Sequence, residues 1–212
     1  LKIIKKLKNG YHSISSLITF CDLYDIISGS KISTSKDKVI FSGKFSKGID
    51  KKVNTVTKVL TLLRKKNFIK NQSFKINIQK NIPHGSGLGG GSSNASNLLH
   101  YFNHKMKLKL KKKKMTNLAK KIGSDVPIVL ERKNTFLTGE KDKILRISKK
   151  FNLNLLIVYP NIVCSTKKVY KKCRIDEDKK YQFYYNKKSK RKLIDYLKNE
   201  KNDLEKIVVK IY

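Results

Sequence analysis

The chain has 212 residues, a net charge of +35 and a hydrophobic fraction of 39%. This length suits one large domain or two small ones with a buried core. No apolar run approaches the roughly 20 residues of a membrane-spanning helix and no signal peptide is recognised, so a membrane or secreted protein is not expected. The three cysteines, Cys21, Cys164 and Cys173, lack the spacing of a disulfide framework or a zinc site. This predicts a reducing compartment, cytoplasmic or, in a eukaryote, plastid-type.

The positive charge consists almost entirely of lysine. Arginine occurs only at positions 64, 132, 146, 174 and 191, whereas nucleic-acid-binding surfaces usually use forked arginine donors and exposed aromatic side chains. The lysines also extend from end to end and accompany many Asn and Ile residues, which is typical of a compositional bias. We therefore expect non-specific polyanion binding at low salt but no specific nucleic-acid partner.

The first fifty residues predict β-structure. Residues 1–4 are short, apolar and typical of a strand, and Asn9-Gly10 is a strong hairpin-turn signal. Residues 13–27 mix apolar and polar side chains at strand spacing and lead into a second strand. Residues 31–50 predict polar strands and loops.

Helices dominate the predicted middle of the chain. The predicted elements are, in order, a helix at 54–65, a strand at 73–79, a helix from Ser92 or Ser93 to about His104, a charged solvated connection at 105–114, and a helix capped by Thr116.

Strands and helices follow in mixed order. Pro127 suits the first turn of a short helix after Ser124 or Asp125. The remaining predictions are strands at 134–137 and 144–147 around a turn at Gly139, a strand at 153–159, a helix capped by Ser165 and Thr166 through Tyr170, a loop at 174–190, and helices at 191–198 and 203–212. This order predicts a mixed α+β fold with mostly antiparallel strands first.

The stretch from Lys80 to Ser96 holds five of the eleven glycines and almost no bulky side chains. Glycine and serine let backbone N–H groups approach a ligand closely, because glycine has no Cβ. A strand, a glycine loop and a helix N-terminus in succession predict an anion site, with phosphate the usual ligand.

Three other interpretations of this glycine loop are weaker. A P-loop requires GxxxxGK[ST], but Ser92-Ser93 follow the glycines without a lysine. The spacing Gly85-x-Gly87-x-x-Gly90 matches a dinucleotide fingerprint, which also needs an acidic residue about 20 positions later, and residues 107–114 contain only lysine and leucine. A flexible linker is not expected between Ile82-Pro83 and a well-formed helix.

The segment from Pro83 to Ala95, PHGSGLGGGSSNA, resembles the ATP-phosphate motif of the GHMP kinases. Its triple glycine and five further segments resemble the branch that phosphorylates 4-diphosphocytidyl-2-C-methyl-D-erythritol, and they follow that family's order. The five are Asn9-Gly10-Tyr11-His12 (DGYH in the family), Asn54-Thr55-Val56-x-Lys58 (NLVxKA), Gly123-Ser124-Asp125-Val126-Pro127 (GADVP), Cys164-Ser165-Thr166-x-x-Val169-Tyr170 (VSTxxVY) and Asn202-Asp203-Leu204-Glu205 (NDLE).

The resemblance implies a two-domain α+β GHMP kinase fold, with a ribosomal-protein-S5-like N-terminal half and a ferredoxin-like C-terminal half. The ATP-binding N-terminal domain would cover residues 1–145, and a partial C-terminal domain residues 146–212. The implied activity is ATP- and Mg²⁺-dependent phosphorylation of the substrate's 2-hydroxyl in the non-mevalonate pathway of isoprene biosynthesis. A monomer or weak homodimer without a membrane partner is expected.

The resemblance also assigns site residues. Asp125 matches the catalytic aspartate, which would accept the proton of the attacking hydroxyl. Tyr11 and Tyr170 match the positions that stack on the cytosine of the substrate, and His12 the position that hydrogen-bonds its edge. The implied nucleotide-binding residues are Asn54 and Lys80, near the adenine nucleotide, and Pro83, Gly85, Gly87, Leu88, Gly89, Gly90, Gly91, Ser92 and Ser93, with the two serines reaching phosphate or Mg²⁺.

Local alternatives stay open for several of these side chains. They are plain helix capping for Ser92 and Ser93, an N-cap for Asp125, a solvated charge for Lys80, a surface hairpin for Tyr11 and His12, and a core-facing helix position for Tyr170.

The chain also departs from the family pattern. Asn94 stands where many members have Asp, and neither the catalytic Lys of a PAKxN-like segment nor a third glycine-rich motif has a counterpart within residues 1–212. Two other functions therefore stay open: a GHMP-type kinase of another small alcohol, and a catalytically eroded basic nucleic-acid-binding protein.

Overall fold

The computed structural model describes residues 1–8, 10–138, 143–148, 151–173 and 190–212. The elements, in chain order, are β1 (Lys2–Lys6), β2 (His12–Ile18), β3 (Ile26–Ile32), β4 (Lys38–Ser42), α1 (Thr55–Lys65), β5 (Ser73–Gln79), α2 (Gly90–Lys105), α3 (Lys112–Ile122), α4 (Val126–Val129), β6 (Asn134–Thr138), β7 (Ile144–Ile147), α5 (Thr166–Lys171), α6 (Lys190–Asn199) and α7 (Glu205–Ile211). The predicted α+β class is confirmed.

The chain forms two compact units. The central unit is Asp22–Arg132, and the outer unit combines Leu1–Cys21 with Lys133–Tyr212. The family-based division into residues 1–145 and 146–212 stays a prediction.

The central unit contains a three-stranded sheet in the order β3-β5-β4. β5 pairs antiparallel with β3 and parallel with β4, and α1 provides the crossover between the two parallel strands. Apolar residues of α1, β5 and α2 meet in one core, in which the rings of Phe74 and Phe102 pack edge to face with centroids 4.8 Å apart. This core fixes the end of β5 relative to the start of α2, and the glycine loop joins those two points.

The outer unit contains a four-stranded antiparallel sheet in the order β1-β2-β6-β7. The predicted hairpin is confirmed, since β1 and β2 are adjacent and Gly10 has a φ of 80°. Val169 of α5 and Leu193 of α6 are buried.

Most predicted helices are confirmed, but three predictions need correction. α3 begins at Lys112, so Thr116 lies inside this helix rather than at its cap; lysine is a good helix former, and the exposed Lys112–Lys114 run extends the helix backwards. α2 begins at Gly90 rather than at Ser92 or Ser93.

The third correction concerns residues 153–159, which form no strand. A strand needs a neighbour for its backbone groups, and neither sheet pairs with this segment, whose Leu156 is 90% exposed. Asn9, the turn at Gly139 and residues 174–189 of the predicted loop at 174–190 lie outside the described residues, and Lys190 is the first residue of α6.

Within the described part of the chain, no helix has the length and apolar character needed to cross a membrane.

Candidate functional site

The glycine loop follows β5 and ends at the first turn of α2. Gly85, Gly87 and Gly89 have φ values of 68°, 77° and 71°, a left-handed conformation that costs L-residues with a Cβ about 1–2 kcal/mol. A Cβ at Gly87 or Gly89 would meet no protein atom within 4 Å. Backbone conformation, rather than crowding by the protein, therefore requires glycine at these positions, and the space beside the backbone is open to a ligand.

The N-terminus of α2 lacks a side-chain cap. Its N-cap residue is Gly89, which has no side chain, and in the described part of the chain no side-chain cap hydrogen bond is present at this end. The first N–H groups of a helix have no partner within the helix, and the helix dipole adds partial positive charge at that end. The uncapped end of this 16-residue helix has the properties of an anion site.

The N-terminus of α1 lies beside that of α2, because the Thr55 hydroxyl donates to the Gly91 carbonyl at 2.8 Å. Here the protein supplies its own cap. The Asn54 side-chain oxygen accepts from the N–H groups of Val56 and Thr57, both at 2.9 Å, and the Thr57 hydroxyl accepts from the Asn54 N–H at 3.1 Å. Of the two neighbouring helix ends, the α2 end is the one left for an external anion.

Both the oxygen and the nitrogen of the Asn54 side-chain amide form hydrogen bonds within the protein. Besides the cap, its nitrogen donates to the carbonyls of Asp50 and Lys51 at 2.9 and 3.3 Å. The nucleotide contact implied for Asn54 stays a prediction, and the observed role of its side chain is to fix the start of α1.

Lys80 is buried and paired. Its side chain is 3% exposed and forms a salt bridge with Asp25, whose side chain is 0% exposed. The solvated-charge alternative for Lys80 is therefore wrong, because an ammonium group this deeply buried requires a partner. The adenine contact implied for Lys80 stays a prediction.

Asp25 is a residue that the sequence did not single out. Its carboxylate accepts from the Lys80 ammonium, the N–H groups of Asn81 and Ile82, both at 2.8 Å, and the Asn94 amide at 2.8 Å. The only signal in the sequence is an aspartate immediately before Ile26 and Ile27 at the start of β3, among only 15 acidic residues. A single aspartate next to apolar residues is too common in protein sequences to indicate a buried ion pair.

The remaining loop residues line the start of α2. Pro83 and Gly90 are buried, Gly85, Gly87, Gly91 and Leu88 are exposed, and Gly89, Ser92 and Ser93 are partly exposed. Ser86, which was not predicted, donates its hydroxyl to the Pro83 carbonyl at 2.7 Å and accepts from the Leu88 N–H at 3.4 Å. Ser92 and Ser93 lie inside the first turn of α2, so neither is its N-cap.

Asp125 occupies the N-cap position of α4, but its side chain makes no capping hydrogen bond. The carboxylate is exposed and accepts from the Ser124 hydroxyl at 3.1 Å. α4 is attached to α2 through the Ser96 hydroxyl, which donates to the Val129 carbonyl at 3.3 Å. The capping alternative for Asp125 is therefore not realised, and its carboxylate is accessible on the helix neighbouring α2.

The three predicted substrate residues lie in the outer unit. The rings of His12 and Tyr170 are adjacent, with centroids 5.2 Å apart and planes inclined by 34°, and Tyr11 is 63% exposed. Burial of the imidazole and the nearby charge of Lys6 lower the pKa of His12, so the ring is neutral near pH 7. Tyr170 is partly buried on α5, while its neighbour Val169 faces the core.

Among the described residues, no group of three or more His, Cys, Asp or Glu side chains is placed to hold a metal ion. In the central unit, the loop and the α2 N-terminus can bind an anion, and Asp125 can accept a proton. In the outer unit, the aromatic and imidazole rings can contact a planar group.

Residues 54–132 match the sequence family described as the GHMP kinases N terminal domain, and this match ends at the last residue of the central unit. The 4-diphosphocytidyl-2-C-methyl-D-erythritol kinase of Pelagibacter ubique is 39% identical over 97% of this chain and 71% of its own length. The chloroplastic kinase of the same name from Arabidopsis thaliana is 33% identical over 84% of this chain, which spans 46% of that protein.

A solved structure agrees in fold. The crystal structure of a 4-(cytidine 5'-diphospho)-2C-methyl-D-erythritol kinase aligns with a TM-score of 0.58 at 20% identity, over 81% of this chain and 59% of that one. The chain thus spans between about half and three quarters of the length of these relatives.

Proposed function

The chain belongs to the 4-diphosphocytidyl-2-C-methyl-D-erythritol kinase family of the GHMP kinases, and from this premise we propose that its protein phosphorylates the 2-hydroxyl of that cytidyl substrate with ATP. The observation that carries the proposal is the glycine loop ending at the uncapped N-terminus of α2. A kinase must hold the phosphates of ATP, and a glycine loop that ends at an uncapped helix N-terminus is suited to bind such a polyanion.

In this proposal the backbone from Gly87 to Ser93 wraps the ATP phosphates. Phosphoryl transfer depends mainly on positioning and on stabilising negative charge, and the first-turn amides of α2 together with its dipole supply both. The left-handed glycines let the backbone approach the phosphates without a Cβ in between. Pro83 and Leu88 border the loop, and Asn54 and Lys80 hold its surroundings in place.

Asp125 would act as the general base. The attacking hydroxyl must lose its proton as the bond to the γ-phosphorus forms, and an accessible carboxylate can accept it. The Ser124 hydroxyl donates to the same carboxylate and would restrict its orientation.

Ser92 and Ser93 would contribute hard oxygen ligands to Mg²⁺, which prefers oxygen donors and usually binds together with substrate phosphates. When bound, the ion neutralises charge on the transferred phosphoryl group.

The cytosine would be recognised in the outer unit. Tyr11 and Tyr170 offer aromatic faces to a planar base, and the neutral His12 offers one donor and one acceptor to its edge. We further propose a monomer or weak homodimer that works in the cytoplasm or, in a eukaryotic source, in a plastid-type compartment, since one relative is described as chloroplastic.

The test is an ADP-release assay on the full-length protein, with and without the cytidyl substrate. We expect release that depends on the substrate, and a loss of turnover by about 100-fold or more in Asp125→Asn with ATP affinity largely kept. Asp22→Asn, at an exposed position outside the proposed site, is the matched control.

Three results would contradict the proposal in different ways. Near-normal turnover in Asp125→Asn would show that Asp125 is not the general base. Activity only with another small alcohol would place the protein elsewhere among the GHMP kinases. Polyanion binding without any ADP release would favour the nucleic-acid-binding alternative.

A further inference from the structure

The buried ion pair of Asp25 and Lys80 lies next to the glycine loop, and the proposed reaction assigns it no chemical step. The carboxylate of Asp25 and the ammonium of Lys80 are both almost fully removed from solvent. Removing two charges from water is costly unless good geometry and further hydrogen bonds compensate. A pair placed at the base of a ligand-binding loop therefore needs an explanation.

We propose that Asp25 and Asn94 are positioning residues that hold the glycine loop and the first turns of α2 in phosphate-binding geometry. The proposal rests on the proposed function of that loop. Neither residue is proposed to contact ATP; both act through the backbone that does.

The four hydrogen bonds to Asp25 come from two segments, residues 80–82 and the second turn of α2. Oδ1 accepts from the N–H groups of Asn81 and Ile82, where the loop leaves β5, and Oδ2 accepts from the Asn94 amide, in the second turn of α2, at 2.8 Å. Oδ2 also accepts from Lys80 Nζ. Since an ionised carboxylate has about four acceptor sites, its capacity is used completely, and both ends of the loop are tied to one group.

Lys80 is held by its backbone as well as by its side chain. Its N–H donates to the Ser42 carbonyl at 2.7 Å, and its carbonyl accepts from the Phe45 N–H at 3.4 Å. A Cβ at Gly43 would lie 2.8 Å from that carbonyl, so the contact tolerates only glycine there. Lys80 therefore stays fixed below α2, where its Nζ lies 3.4 Å from the Cβ position of Gly90.

The amide at position 94 matters for charge balance. Asn94 donates to a carboxylate that already has its cation, whereas an aspartate at 94 would place a second carboxylate within hydrogen-bonding distance of the first. Like charges this close disfavour joint ionisation. With the neutral amide of Asn94 as a donor, the buried cluster contains one negative charge, on Asp25, and one positive charge, on Lys80.

The experiment compares Asn94→Ala with Asn103→Ala in the full-length protein. Both substitutions remove an asparagine from α2, but Asn103 bonds with Leu110 at the far end of the helix. Three measurements are made: amide hydrogen exchange from residue 85 to 92 without ligand, the Kd of ATP, and the KM values of ATP and the cytidyl substrate.

For Asn94→Ala we expect exchange in the loop and the Kd of ATP to rise by about tenfold, since a bond to a charged group is lost. The KM of the cytidyl substrate should change by less than about threefold. Asn103→Ala should leave loop exchange and ATP affinity at wild-type values.

The charge pair is tested with Asp25→Asn and the double variant D25N/K80M. Asp25→Asn leaves the Lys80 charge buried without its partner, so its Tm should fall, whereas the double variant should regain most of the Tm because both charges are gone. Amide exchange in the loop should stay raised in both variants. An amide at position 25 has one acceptor oxygen in place of two, so it cannot accept from both Asn94 and the N–H groups of Asn81 and Ile82 as the carboxylate does.

Wild-type loop exchange and ATP affinity in Asn94→Ala would overturn the inference. A uniform rise of exchange throughout the central unit, or equal losses for ATP and for the cytidyl substrate, would also overturn it, because either result indicates general destabilisation. If the wild-type protein transfers no phosphate, the proposed function fails, and ligand-free loop exchange alone decides the positioning role.

Discussion

The substitution Asn54→Ala separates a structural role of Asn54 from a direct role in nucleotide binding. It removes the oxygen that accepts from the N–H groups of Val56 and Thr57, and the nitrogen that donates to the carbonyls of Asp50 and Lys51. Loss of an Asn N-cap costs about 1 kcal/mol. The two donor bonds, one of them long and both at an exposed position, add about 1 kcal/mol in total.

A loss of about 2 kcal/mol corresponds to a fall in Tm of about 4–8 °C for a chain of this size. Asn54→Asp keeps an acceptor oxygen at the Oδ1 position and loses the donor. It also places a negative charge at the start of α1, where the helix dipole stabilises it. Its Tm should therefore lie between those of the wild type and Asn54→Ala. Asn71→Ala, at an exposed position of the same unit, should change the free energy of unfolding by less than about 0.5 kcal/mol.

The assay is thermal unfolding followed by circular dichroism, combined with ATP titration of the folded variants. If the cap is the main role of Asn54, we expect the order wild type, Asn54→Asp, Asn54→Ala in Tm, and ATP affinity reduced by less than about threefold in Asn54→Ala. A wild-type Tm together with a tenfold or greater loss of ATP affinity would refute the cap as the main role of Asn54. It would favour the nucleotide contact implied by the family motif.

Three further predictions concern the loop and the proposed cytosine site. Gly89→Ala should lower the free energy of unfolding by about 1–2 kcal/mol, because the φ of Gly89 is 71°, and it should weaken ATP binding. Gly91→Ala should not destabilise the protein, because Gly91 lies in α2 and a Cβ there would come no closer than 3.5 Å to Thr55 Oγ1. Equal Tm values for the two variants would contradict this prediction. Tyr170→Ala should weaken binding of the cytidyl substrate by about tenfold or more and leave ATP binding nearly unchanged. Calorimetric titration with each ligand measures both affinities, and equal losses for the two ligands would contradict a cytosine-binding role. Because the pKa of His12 is lowered, the folded state binds fewer protons than the unfolded state between the ordinary histidine pKa of about 6.5 and the lowered value. The contribution of His12 to stability should therefore be constant above this window and fall as the pH decreases through it. The affinity for the cytidyl substrate should fall only at the low-pH end of the window, where His12 of the folded protein becomes protonated. A His12→Gln variant with the same pH profiles would exclude His12 as the cause.

The local sequence determined much of the site. The motif order identified the family, and the alternation of glycine with small residues indicated the loop, because left-handed backbone and close approach to an anion are local requirements that glycine meets. The helix at α1 was predictable for the same reason: Asn54, Thr57 and the apolar spacing act within one or two turns. The short helix after Asp125 was predictable from Pro127, whose fixed φ suits a first turn.

Long-range pairing decided the rest. Nothing near Lys80 in the sequence separates it from the other lysines, and nothing near Asp25 marks it as a buried partner, because the two residues are 55 positions apart and meet only when β3 and β5 pair. The apolar run at 153–159 was misassigned for a related reason, since a strand exists only where another strand accepts its hydrogen bonds. The sequence by itself thus indicated the backbone that we propose to bind an anion. The tertiary structure decided that one buried carboxylate ties both ends of that backbone together, because a charge can be buried only where folding brings all its partners to it.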